Sequence, residues 1–177
     1  MLFRSTLERP GYRVEKIIFE SRPKFFVSAA FFLPVSDKFQ APYPGVLIPC
    51  GHAEDAKVHL EYQTMGAFLA LNGMAALVFD PIEQGERMQL VDPQGAYAMQ
   101  GTKAHTMLGA ACILLGQNTA RYEIWDGMRG IDYLQTRPEV DPTRIGCTGN
   151  SGGGTQTSYL MADRKSTRLN SSHDQIS

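Results

Sequence analysis

Polar and apolar positions along this chain change period several times, and each change predicts an element. Over Tyr12–Glu20 the apolar residues Val14, Ile17 and Phe19 sit among charged neighbours, close to the two-residue period of a strand, with Ile17-Ile18 breaking strict alternation. Phe25–Leu33 is aromatic and β-branched, and Pro34 closes it. Together they predict an antiparallel hairpin around Ser21-Arg22-Pro23. Pro44–Pro49 is a short continuous apolar run between turn residues, the pattern of a strand buried on both faces. Lys57–Asn72 carries Leu60, Met65, Phe68 and Leu69 at helical spacing, with Gly73 as a C-terminal cap. Met74–Phe79 is again all apolar and ends at Asp80-Pro81. Asn118–Gln135 places Ile124, Trp125, Met128, Ile131 and Leu134 on one helical face, and Pro138 lies just past its end. Arg144–Thr148 predicts a last strand and Thr155–Ala162 a helix.

Buried strands alternating with amphipathic helices predict an α/β fold, a mostly parallel sheet with flanking helices behind an N-terminal antiparallel hairpin. The glycine-rich stretch Pro81–Gln117 fits a long loop with one short helix.

Between the last strand and the last helix stands Gly149-Asn150-Ser151-Gly152-Gly153. A serine hydroxyl is a poor nucleophile until it is held out of the backbone and given a base, and a sharp strand-to-helix turn does the holding. Glycines two before and two after the serine permit the close backbone approach of such a turn. Two glycine-rich alternatives fail in detail. A phosphate-binding loop needs Gly-Lys-Ser/Thr, and Gly153-Gly154-Thr155 has no lysine; a dinucleotide fingerprint needs a third glycine where Thr157 stands. Ser151 is therefore the candidate nucleophile. Acyl transfer also needs backbone N–H donors for the oxyanion, one from the residue after the nucleophile, Gly152, and one from the loop after an earlier strand. In Pro49-Cys50-Gly51-His52-Ala53 the candidate is the His52 N–H, with Ala53 next. The His52 ring either lines the pocket or is a surface histidine in a turn. It is a poor candidate for the base, which belongs on a late loop, and His52, His59 and His105 match no metal-ligand spacing.

Asp80-Pro81-Ile82-Glu83-Gln84-Gly85-Glu86-Arg87 follows a strand end, where α/β sheets place binding loops. It reads as a structural turn with Arg87 paired to a carboxylate, with substrate contact as the alternative. Tyr122, Trp125 and Tyr133 read as helix-face packing rather than a carbohydrate platform.

Composition sets bounds. The 177 residues are 43% apolar with net charge −1, sized for one ordinary domain and without the basic excess of a nucleic-acid or anionic-membrane binder. No apolar run is long enough to span a membrane, and Met1-Leu2-Phe3-Arg4 runs into polar sequence without a signal-peptide pattern. Cys50, Cys112 and Cys147 suggest neither a disulfide framework nor a zinc site; Cys50 and Cys147 read as small buried residues. Asp163–His173 resembles one reading frame of a common short-read sequencing adapter, with Asp174–Ser177 where a sample index would fall. The expected division is thus 1–162 as the N-terminal part of one domain and 163–177 as an extraneous tail, which removes His173 from consideration.

Three segments, Pro49–His52, Asp80–Arg87 and Val140–Gly154, resemble the α/β-hydrolase superfamily, more narrowly its acetyl xylan esterase-like and prolyl oligopeptidase-like (dienelactone hydrolase-like) members. The resemblance runs from about Tyr12 to Ala162. It implies a serine hydrolase acting on esters through an acyl-enzyme, with a small-molecule or carbohydrate acetyl ester as substrate, Ser151 as nucleophile, Gly152 and a residue near His52 as oxyanion hole, and no cofactor or metal. It further implies a triad acid and histidine after later strands that this chain lacks, so that the chain as written would be inactive. A serine peptidase and a non-catalytic hydrolase-fold binding protein are the alternatives.

Overall fold

The computed structural model describes residues 2–163. Six strands, β1 (Leu2–Arg9), β2 (Tyr12–Arg22), β3 (Phe25–Pro34), β4 (Tyr43–Pro49), β5 (Ala75–Phe79) and β6 (Val140–Cys147), form one sheet in the order β1-β2-β3-β5-β4-β6. The first three pair antiparallel, β3 pairs antiparallel with β5, and β4 runs parallel to both β5 and β6. A single 3-10 turn at Ala56–Val58 leads into α1 (Leu60–Leu71); α2 (Gly101–Leu114), α3 (Ala120–Thr136) and α4 (Gly152–Asp163) follow.

The central strands β3, β4 and β5 are buried on both faces. Register places Phe31, Leu77, Leu47 and Cys147 in one row across β3, β5, β4 and β6. That row belongs to a core closed by Ile131 and Leu134 of α3 and Leu160 of α4. Residues one step along each strand, Phe32, Ala76 and Ile48, face the other way and pack with Tyr62, Leu69 and Ala70 of α1. Both apolar layers explain why β4 and β5 lack polar alternation. In β2, Val14 serves the α1 layer and Ile17 and Phe19 the α3 layer, so the broken period of the sequence marks a strand with apolar residues on both sides.

Three expectations need correction. The hairpin is preceded by β1, which the polar Leu2–Arg9 segment does not announce. The glycine-rich stretch contains a 14-residue helix, α2, rather than a short one. In α1 only Leu69 of the predicted stripe is buried, while Leu60, Met65 and Phe68 are 78%, 41% and 59% exposed. The reason is close packing: a Cβ on Gly66 would stand 2.6 Å from the Phe32 ring, so the helix approaches the sheet through Tyr62, Gly66, Leu69 and Ala70. Gly73 caps α1 with φ +81°, as the sequence predicts. Cys50 and Cys147 are buried. Tyr133 is buried, while Tyr122 and Trp125 carry the Arg22 guanidinium on their faces. The adapter-like segment 164–177 lies outside the described residues.

Truncating the centre of the four-strand row leaves a void that rigid neighbours on both sides cannot close. Leu77→Ala should cost about 2–5 kcal/mol. Urea unfolding should show a lower midpoint at unchanged slope.

Candidate active site

Because β4, β5 and β6 are parallel, their C-terminal ends share one edge, and the loops Cys50–Asp55, Asp80–Arg87 and Thr148–Ser151 meet there. Ser151 sits between β6 and α4, exposed, with φ +54°. That left-handed conformation costs a non-glycine residue on the order of 1–3 kcal/mol and persists only where the surroundings impose it. Here glycines impose it. A Cβ on Gly149 would stand 2.5 Å from the Gly153 carbonyl, and one on Gly153 would overlap the Pro49 carbonyl oxygen. A Cβ on Gly51 would stand 2.5 Å from the Asn150 carbonyl oxygen and 3.1 Å from Cβ of Ser151. The turn is locked by Gly153 N–H donating to Asn150 O at 2.9 Å and Thr157 Oγ1 donating to Gly153 O at 2.9 Å.

The loop after β4 is held from two sides. The Gly51 N–H donates to the Tyr62 hydroxyl at 2.5 Å. The Gln84 side-chain amide donates to Gly51 O at 2.7 Å and to Ala53 O at 2.8 Å. The Gly51–His52 peptide is trans, so its N–H points opposite to its carbonyl. Fixing Gly51 O on Gln84 therefore turns the His52 N–H away from Gln84. Among the described residues neither the His52 N–H nor the Gly152 N–H donates a hydrogen bond, whereas the Ala53 N–H is taken by Gly51 O at 2.8 Å. Of the two residues considered for the loop donor, His52 is the one left open.

The loop after β5 is an internal brace. Asp80, Glu83, Gln84 and Arg87 are all buried. Asp80 accepts from Ser28 Oγ at 2.6 Å, from the Lys57 N–H at 3.0 Å and from Lys57 Nζ at 2.5 Å. Arg87 pairs with Asp126 of α3 at 2.8 Å and donates to the Asp80 carbonyl at 2.9 Å. Glu83, at φ +58°, accepts the N–H groups of Gln89 and Leu90. The carboxylate partner expected for Arg87 is thus Asp126. The bracing roles of Gln84 and Tyr62 were not legible, because neither residue type signals a loop support at its position.

His52 presents its ring as well as its backbone. A Cβ on Gly152 would stand 2.9 Å from His52 Cε1, so the imidazole lies directly on the first residue of α4. Its Nε2 is 3.0 Å from Nδ1 of His105 on α2, and His105 Nε2 is 2.7 Å from Ile82 O. Burial, and then His105, push His52 below its ordinary value, so it is neutral near pH 7. His59 stands apart, paired to Asp55 at 2.9 Å. Among the described residues no group of three or more His, Cys, Asp or Glu side chains is arranged to hold a metal ion. Nor does Cys50 rival the serine: burial pushes its thiol far up, leaving it protonated.

Two concavities flank the turn. A cleft of about 360 Å³ is lined by His52, Asp55, Glu61, Tyr62, Asn150 and Ser151, among others. An apolar groove of about 750 Å³ runs from Thr148–Asn150 along Ile48, Leu60, Met65 and Phe68. The exposed stripe of α1 therefore borders the candidate site rather than filling a core.

No protein-family model and no curated protein matches this sequence. Solved structures do match its shape. A Bacteroides fragilis protein proposed to be an acetyl xylan esterase superposes with a TM-score of 0.72 at 20% identity, over 90% of this chain and 44% of its own. A methylesterase gives 0.67 at 26% identity over 90% and 31%, and an acetyl xylan esterase from Paenibacillus gives 0.61 at 18% over 90% and 48%. The chain has the α/β-hydrolase fold of esterase-like proteins, and it spans less than half the length of each of these three.

The elbow geometry makes a stability prediction independent of activity. Gly153→Ala has no room beside Pro49 O and should unfold at lower temperature, whereas Gly109→Ala, with nothing within 4 Å, should match or exceed the parent. A thermal melt of the two variants checks this.

Proposed function

We propose that this chain is the nucleophile-bearing part of a serine hydrolase acting on esters, with a carbohydrate acetyl ester as the favoured substrate. The observation that carries this is Ser151 at φ +54° between a parallel strand and a helix, beside two open N–H groups, in a fold whose solved relatives are esterases. In this reading residues 1–162 belong to the hydrolase domain and 163–177 do not.

Ser151 Oγ attacks the ester carbonyl carbon and gives its proton to a base. The carbonyl oxygen takes up the negative charge and is held by the His52 and Gly152 N–H groups, each worth about 3 kcal/mol in such a site. The carbon–oxygen bond to the alcohol then breaks, and the alcohol leaves with a proton. Water cleaves the acyl-enzyme and returns the hydroxyl to Ser151. The family resemblance assigns the base and its acid to chain beyond this sequence, so residues 1–177 alone are expected to be inactive.

A fluorophosphonate probe should label Ser151 in the full-length protein. Ser151→Ala should abolish labelling and lower kcat on the order of 10⁶-fold. A folded full-length protein that is not labelled at Ser151 would sink the enzyme reading in favour of a binding protein; turnover of short peptides but not acetylated sugars would favour a peptidase.

Gln84→Leu removes the bond that aims the Gly51–His52 peptide, and with it the bond to Ala53 O. In the full-length enzyme kcat should fall about tenfold or more at little change in KM, since the lost interaction matters chiefly once the oxyanion forms.

A further inference from the structure

The His52–His105 contact has a direction, and the direction determines what the site presents to a ligand. A carbonyl oxygen only accepts, so the 2.7 Å contact to Ile82 O requires the proton of His105 on Nε2. In neutral His105 the other nitrogen, Nδ1, is then a bare acceptor. It is 3.0 Å from His52 Nε2, which must be the donor. In neutral His52 this leaves Nδ1 as a lone pair. The chain Ile82 O, His105, His52 thus transmits one tautomer choice from a backbone carbonyl to the edge of the nucleophile turn, where a Cβ on Gly152 would stand 3.0 Å from that same Nδ1.

The opposite direction needs a protonated His105, whose nearest anion is Glu123 Oε1 at 3.6 Å. The bond to Ile82 O is much the shorter of the two.

The rest of the cleft matches this polarity. Glu54, Asp55 and Glu61 line the cleft with His52 and Ser151, Asp55 paired to His59. An acceptor-rich wall favours a ligand that brings hydrogen-bond donors without negative charge, which is the chemistry of a polyhydroxylated ring. The Tyr62 hydroxyl accepts the Gly51 N–H, which leaves its own proton to donate to such a ring.

We propose that the His52 imidazole is a specificity-determining acceptor for a sugar hydroxyl next to the scissile ester, and that His105 is a positioning residue that fixes its tautomer through Ile82 O. The substrate part rests on the ester-hydrolase reading; the tautomer part does not. His52 acts twice, through its N–H on the oxyanion and through its ring on the alcohol.

The test is ¹⁵N-histidine NMR on the chain of 177 residues, near pH 7, with methyl β-xylopyranoside as probe and the hydroxyl-free tetrahydropyran as control. His52 should show a protonated Nε2 and a bare Nδ1, and only the sugar should move the Nδ1 signal. His105→Phe should mix the two tautomers and weaken the response to sugar about twofold, as for a competent tautomer cut to roughly half. His105→Gln, whose amide can donate to Ile82 O while its carbonyl accepts from His52, should restore both. Thermal melts of both variants establish that they are folded; if His105→Phe is not, the parent tautomer and the Gln variant decide. A protonated Nδ1 on His52 in the parent overturns the proposal, as does a His52 signal that is indifferent to sugar or shifts equally with tetrahydropyran. Fluorophosphonate labelling of Ser151 in the full-length protein reads the nucleophile separately. Loss of labelling with the sugar response intact would remove the esterase and leave the subsite.

Discussion

The Asp80 carboxylate, fully buried at the end of the central strand β5, is the point on which the candidate site depends. A buried carboxylate is tolerable only when its lone pairs are filled and its charge is met. Ser28 from β3, the backbone and ammonium of Lys57, and the Glu86 N–H do both, and each comes from a different segment. Removing one partner of such a pair typically costs about 3–5 kcal/mol, because the other is left charged in the interior. Asp80 thereby fastens the loop before α1 and the loop after β5 to the same strand end. A Cβ on Gly85 would stand 2.5 Å from Asp80 Oδ1, so the chain must wrap closely around the carboxylate before reaching Glu86 and Arg87.

From that anchor the structure passes stiffness outward one bond at a time. The wrapped loop presents Gln84 to Gly51 O, the fixed carbonyl turns the His52 N–H, and the glycines at 51, 149 and 153 bring that peptide against the elbow. Two strained non-glycine residues, Glu83 and Ser151, lie on this route. Each is paid for by neighbours that leave no alternative: Glu83 by the two N–H groups its carboxylate accepts, Ser151 by backbone contacts too close for any side chain at 149 or 153. Rigid supports under a strained turn are what catalysis by preorganised dipoles requires, since the donors must already point where charge will appear.

The sequence made the central layers legible because burial on both faces leaves a plain signal, an uninterrupted apolar run such as Ala75–Phe79. The elbow was legible for a related reason: close backbone approach demands glycine, and Gly149 and Gly153 stand at the required distance from Ser151. What escaped lies where side chains of ordinary type meet across long separations. His52 and His105 are 53 positions apart and match no motif, Gln84 reaches back 33 residues to Gly51, and Lys57 reaches 23 forward to Asp80. In α1 the error had a specific origin. The eye follows the large residues Leu60, Met65 and Phe68, but a helix that lies close to a sheet does so through its small ones, and Gly66 and Ala70 define the buried side.

That inversion in α1 bears on the site itself. With its small residues against the sheet, the helix offers its large apolar residues to the groove beside Thr148–Asn150, while Glu61 and Tyr62 of its first turn line both that groove and the cleft beside Ser151. One helix thus gives the turn at Ser151 an apolar side and a more polar side. An ester has the same asymmetry when its acyl group is small and its alcohol is a sugar: the hydroxyls all lie on one side of the bond to be cut. The polar cleft is also lined by His52, whose Nε2 meets His105 on α2, a helix that leaves Met107, Ile113 and Leu114 exposed. On the proposed reading, recognition of the alcohol would depend on where α2 sits, while the direction of the His52 N–H depends on Gln84. On that reading, separate supports for the two roles of His52 would let the leaving-group preference vary without disturbing the donors to the oxyanion.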